Sequence, residues 1–197
     1  MNDFERDNEF QLNMRNRLLS KFYGKFTQDG RYVYLDKGNL STILQRRYAV
    51  DTIAQGLSGS AVAIEEKIVR WPGYHYRSIC LETDSCTKEG HESSGWMVYG
   101  QADYLLYCRM LPGDLCKQRK CKALQDTAKP KCWDSNCTGA LRYLLVPFAP
   151  LKEWFWSRAG EFDSFGPLET MNGSAGRLVP VAIIRANIEK TRTGEMT

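Results

Sequence analysis

Between Ala61 and Ile68 the side chains alternate in kind. Ala61, Ala63, Glu65 and Lys67 take one parity; Val62, Ile64 and Ile68 take the other. A period of two is the mark of a β-strand, whose successive side chains leave opposite faces. One face of this strand is apolar and suits a core. The other carries an acid and a lysine two residues apart, beside two alanines small enough to leave room for a metal and a phosphate. Asp51 lies a short gap upstream, in a second short segment, Tyr48 to Ile53, that also reads as a strand. Glu66 breaks the pattern. It falls on the apolar face between Ile64 and Ile68, where it either reaches a partner at the sheet edge or becomes the working acid through a bulge that shifts the strand.

The rest of the chain supplies the elements around these strands. Phe10, Met14, Leu18 and Phe22 recur at four-residue spacing and predict a helix over residues 3–22. Gly24 and an Asp29-Gly30 turn end it. A strand from Arg31 to Leu35 and a short helix from Leu40 to Arg47 follow. After the central strand, Pro72-Gly73 predicts a turn and Tyr74 to Thr83 a returning strand closed by Glu82. Residues 84–95 are polar and loop-like. Trp96 to Arg109 reads as a helix with Ala102, Leu105 and Leu106 on one side. Leu141 to Phe148 is an apolar strand. Pro150 suits the first turn of a helix through Leu151 to Phe155. Residues 172–176 form a Gly/Ser loop. Leu178 to Ile184 predicts a last strand, confined to a sheet edge by Pro180. The expected fold is α/β or α+β: a central mixed sheet flanked by helices, in a single domain over residues 1–197.

Composition narrows the function. With 197 residues and 43% hydrophobic side chains, the chain can bury a sizeable core. No apolar run approaches the roughly 20 residues of a membrane span. The charged start lacks a signal-peptide core, so a cytoplasmic protein is expected. The net charge of +4 permits a polyanionic partner without requiring one. There are only two histidines, His75 and His91, and no glycine-rich phosphate loop carrying a lysine, which argues against imidazole-based hydrolysis and against an NTPase.

Cleaving a phosphodiester needs an activated water and charge neutralisation at phosphorus. Mg²⁺ or Mn²⁺ held by one or two carboxylates supplies both. Asp51 and Glu65 have the right chemistry to hold it. Lys67 would orient or deprotonate the water, or stabilise the developing charge. The same residues on a bare surface would be an ordinary salt-bridged pair.

The arrangement of Asp51 and Glu65-Glu66-Lys67 on strands resembles the PD-(D/E)XK nuclease superfamily, with its restriction-endonuclease-like core. Phage and mobile-element nucleases of this superfamily are also similar at Leu44-Gln45 before the Asp strand, and at Gly95-Trp96 with an Ala102-Asp103-Tyr104 helix after the third strand. The likeness covers residues 3–155 in element order but only these few in identity. It implies a Mg²⁺-dependent deoxyribonuclease with catalytic Asp51, Glu65 and Lys67 and metal ligands Asp51 and Glu65. Some members have lost activity and only bind nucleic acid or protein. Val50 stands where the family has proline. Many members add a first-helix carboxylate near the metal, for which Asp7 and Glu9 are the candidates. Gln45 is either a substrate contact or a polar helix end. Glu82 either touches the site from the side or lies in solvent.

Residues 111–139 form a cysteine-rich insertion. Cys116, Cys121, Cys132 and Cys137 make two pairs of equal spacing that suit a structural Zn²⁺. The alternative is four free thiols packed as small hydrophobes. Cys108 is a substitute for one of the four. Lys117, Arg119, Lys120 and Lys122, with Trp133 nearby, make the insertion basic and aromatic, as a grip on a DNA backbone would be. A homodimer would suit a double-strand cut.

Overall fold

The computed structural model describes residues 12–13, 22–24, 27–34, 39–56, 59–69, 77–86, 92–112, 138–165 and 174–196. It is an α+β fold built on two sheets. The larger sheet has six strands in the order β1 (Thr27–Tyr34), β2 (Thr52–Gly56), β3 (Ala61–Val69), β6 (Tyr104–Pro112), β7 (Thr138–Pro147) and β10 (Arg192–Met196). The smaller sheet has the order β5 (Glu92–Ser94), β4 (Ser78–Cys86), β9 (Ser174–Pro180) and β8 (Asp163–Phe165). The helices described over their full length are α1 (Asn39–Tyr48), α2 (Trp96–Tyr99), α3 (Phe148–Arg158) and α4 (Val181–Asn187). None of the described helices is long and apolar enough to cross a membrane.

β3 pairs antiparallel with β2 and parallel with β6. A parallel pair needs a crossover, and here β4, β5 and α2 all lie on it. The large sheet is therefore mixed, and its middle strands are covered on both faces. Along β6, Leu105 and Tyr107 join one hydrophobic cluster with Ile79, Leu81, Met97, Phe155 and Val179, beneath the small sheet. Leu106 and Cys108 join a second cluster with Phe22, Tyr23, Ile64 and Leu141 on the opposite face.

This double burial explains the largest departure from the sequence reading. The stretch expected as a helix from Trp96 to Arg109 is one helical turn, Trp96–Tyr99, followed by strand β6. A strand buried on both faces is apolar at every position, so its periodicity does not distinguish it from a buried helix. Asp103 ties it to its neighbour: its carboxylate accepts from Ala63 N at 2.7 Å, and its own N–H donates to Ala63 O at 2.8 Å.

Other corrections are local. Asp29-Gly30 lies within β1, where the pairing with β2 shifts register between Thr27 and Tyr32 rather than turning back. The returning strand runs to Cys86 and belongs to the small sheet. The polar stretch that follows contains β5. The Gly/Ser loop at 172–176 already holds the start of β9. Pro180 ends that strand, which lies between β4 and β8 rather than at an edge. Val181 to Asn187 is a helix, and the last strand is Arg192–Met196. Of the long first helix expected over residues 3–22, Leu12-Asn13 and Phe22 are described and are helical; Tyr23 and Gly24 are helical as well, so Gly24 does not end it. The Pro72-Gly73 turn lies outside the described residues.

Candidate metal and phosphate site

Helix α1 delivers Asp51 by a tight stop. The N–H groups of Ala49 and Val50 donate to the carbonyls of Gln45 and Leu44, each at 3.2 Å, and Ala49 takes a left-handed φ of 49°. The chain then turns directly into β2. Asp51 N donates to Ile64 O at 2.9 Å, and Thr52 is registered on Ile64, which sets Asp51 across from Glu65 on one face of the sheet. One Asp51 carboxylate oxygen accepts from Glu66 N at 2.9 Å.

Glu65 is 3% exposed. Its carboxyl lies within hydrogen-bonding reach of Asp51, and Lys67 Nζ contacts it, an ion pair once Glu65 has released its proton. Burial raises the Glu65 pKa to about 8, helped by the Asp51 charge and opposed by Lys67. Burial alone would lower the pKa of Lys67, but the charges of Glu65 and Asp51 outweigh it and raise it above the ordinary lysine range. Lys67, with about a third (34%) of its side chain exposed, is therefore a cation at neutral pH. Its ammonium lies 5.3 Å from the centroid of the Trp96 ring, a cation–π distance.

Glu66 points to the other face. β3 pairs without a register break with β2 and with β6, so no bulge brings Glu66 round to the Asp51 side. Its carboxyl accepts from the Tyr23 hydroxyl and, at 2.6 Å, from Thr52 Oγ1. The partners expected at a sheet edge are instead a helical tyrosine and the neighbouring strand, beneath the second core cluster. Removing one hydroxyl from this buried set leaves the carboxyl short of a partner. Tyr23→Phe is expected to lower stability by about 2 kcal/mol in urea unfolding, with the Asp51/Glu65 face unchanged.

Two side chains that the sequence reading did not assign to the site complete it. Trp96 walls the lysine and stacks on Phe148 with centroids 5.8 Å apart. The half-buried Tyr99 has its pKa raised by burial and then by the Glu65 charge, which places its hydroxyl in the same electrostatic field. Both belong to α2, which α3 holds in place: Lys152 Nζ donates to the Val98 and Gly100 carbonyls at 2.9 Å each. Gly95-Trp96 was visible as a motif, but no spacing in the sequence links α2 to Lys67.

Glu82 does not end its strand. It lies inside β4, half-buried, and its charge raises the pKa values of both Lys67 and Tyr99. Gln45 is half-buried near the end of α1. Cys108 is fully buried in the second core cluster. Asp7, Glu9, Cys116, Cys121, Cys132, Cys137, Lys117, Arg119, Lys120 and Lys122 lie outside the described residues.

No group of three or more His, Cys, Asp and Glu positioned to hold a metal occurs among the described residues. Asp51 and Glu65 are two. That number suits Mg²⁺, which keeps several waters and binds through one or two carboxylates. Two carboxyl groups pressed together, one of them with its proton retained by burial, also make a site that a divalent cation would relieve. The donor set thus fits the ion. Comparison with family models, curated proteins and solved structures gives no match for this chain.

Proposed function

We propose that this chain is a Mg²⁺-dependent nuclease acting on phosphodiester bonds of DNA. The observation that carries the reading is the convergence of Asp51, Glu65 and Lys67 from two neighbouring extended segments onto one face of the sheet. A buried carboxyl with a strongly raised pKa beside a charged partner marks a functional-site candidate. The resemblance to PD-(D/E)XK nucleases at the same residues supports the reaction class and the substrate.

Asp51 and Glu65 would hold the metal, which when bound supplies charge neutralisation and a water of lowered pKa. Glu66 N fixes one Asp51 oxygen, so that carboxylate is oriented before any ligand arrives. Lys67 is a cation and does not act as the base. It faces the charge that develops on the phosphoryl oxygens, in the role of a preorganised positive group. The Trp96 ring covers one side of its ammonium.

The test is incubation of the full chain with plasmid, single-stranded and branched DNA, with Mg²⁺ and with EDTA. Cleavage that requires the metal supports the proposal. Salt-sensitive binding to DNA with no cleavage under any metal would replace it with a binding role on the same fold.

A further inference from the structure

On the same face of the large sheet, past β4, lies a cavity of about 410 Å³. Four arginines from four separate places in the fold line it: Arg77 just before β4, Arg109 on β6, Arg142 on β7 and Arg185 on α4. We propose that this cavity is a binding site for a small organic phosphate, of the phosphomonoester class, distinct from the carboxylate site. The inference does not rest on the nuclease reading.

Arg109 carries the argument. It is only 9% exposed. One guanidinium nitrogen donates to Ser78 O, but its Nε has no hydrogen-bond partner among the described residues. A buried guanidinium keeps its positive charge, which favours an anion beside it. Arg142 has Glu195 at 3.8 Å, a long and exposed contact that leaves most of its hydrogen-bonding capacity available. Four guanidinium groups around one space repel each other unless an anion lies between them. Planar forks of N–H donors match phosphate oxygens in pairs, and a phosphomonoester dianion answers more of that charge than a carboxylate does.

The remaining wall selects the rest of the ligand. Tyr107, Leu144, Val181 and Ala182 make one side apolar. The volume lies in the range of small-molecule sites and exceeds what inorganic phosphate needs. An anion with a flat or apolar body, such as a nucleoside monophosphate, fits both halves. The two sites are neighbours on one sheet face: Lys67 is registered on Tyr107, which lines the cavity, and Arg109 follows two residues further along β6.

The experiment is calorimetric titration of the full chain with inorganic phosphate and, separately, with adenosine monophosphate, at constant ionic strength in chloride. The expected result is saturable one-to-one binding, tighter for the nucleotide. Arg77→Ala and Arg185→Ala replace exposed side chains and should leave thermal melting unchanged, yet each should weaken binding about tenfold. Binding of inorganic phosphate without binding of the nucleotide would overturn the organic-phosphate assignment. Failure of both probes to saturate at millimolar concentration would overturn the proposal. So would binding that the two arginine variants leave intact, or that chloride reproduces at equal ionic strength.

Discussion

Asp51→Asn, Glu65→Gln and Lys67→Met are each expected to reduce metal-dependent DNA cleavage by about a thousandfold or more, while circular dichroism and thermal melting show an intact fold. The first two replacements keep shape and remove the charge that would hold the cation. The third keeps the stem that packs against Trp96 and removes the ammonium. Because the three groups act as a unit, a double variant of Asp51 and Glu65 should lose little more than either single one. Glu66→Gln is the internal contrast. Its side chain faces Tyr23 and Thr52 on the opposite side of the sheet, so cleavage should persist within a few fold. Loss of cleavage in Glu66→Gln with full activity in Glu65→Gln would reverse the assignment and put the metal on the wrong face for this fold.

The second large effect is a pH dependence of stability in the metal-free protein. An unfolded glutamate titrates near 4.5, whereas native Glu65 holds its proton up to about pH 8. Below pH 4.5 both states are protonated. Between 4.5 and 8 the native state retains a proton that the unfolded chain has released, so stability falls as pH rises. Above about 8 the difference no longer grows. The whole swing is at most on the order of 5 kcal/mol. Lys67 does not enter this window, because its raised pKa contributes stability that is lost only at pH above the ordinary lysine value. Urea unfolding in EDTA from pH 5 to pH 8.5 should show the decline in the parent and a flat profile in Glu65→Gln. Mg²⁺ competes with that proton, so its stabilising effect should be larger at pH 8 than at pH 5.5. A parent profile as flat as the variant's would mean that Glu65 is not buried against Asp51 as described.

The face assignment within β3 was readable in the chain because each side of that strand meets a different environment. Ala63 and Lys67 lie toward the small sheet and α2; Val62, Ile64 and Ile68 pack with Phe22, Tyr23 and Leu106. Helix α1 was readable for a similar reason, within one residue at each end. β6 was not. Its neighbours on both faces are apolar, so no alternation remains to mark it as a strand. The C-terminal region misled in the opposite direction. Val181-Ala182-Ile183-Ile184 has the composition of a strand, but Ile184 and Ile188, four apart, are buried in one cluster, and packing outweighs the weak β preference.

The candidate site divides along the same line. Glu65 and Lys67 are two residues apart, and a strand of period two places them together whatever surrounds it. That much follows from local geometry, and so does the apolar reverse face. Asp51 needed the register of β2 on β3, which depends on how α1 stops at Ala49. The partners of Glu66, the Trp96 wall beside Lys67 and the four-arginine cavity join residues between 14 and 108 positions apart in the chain. Such contacts leave no periodic trace in the sequence, because they form only where separate elements pack face to face.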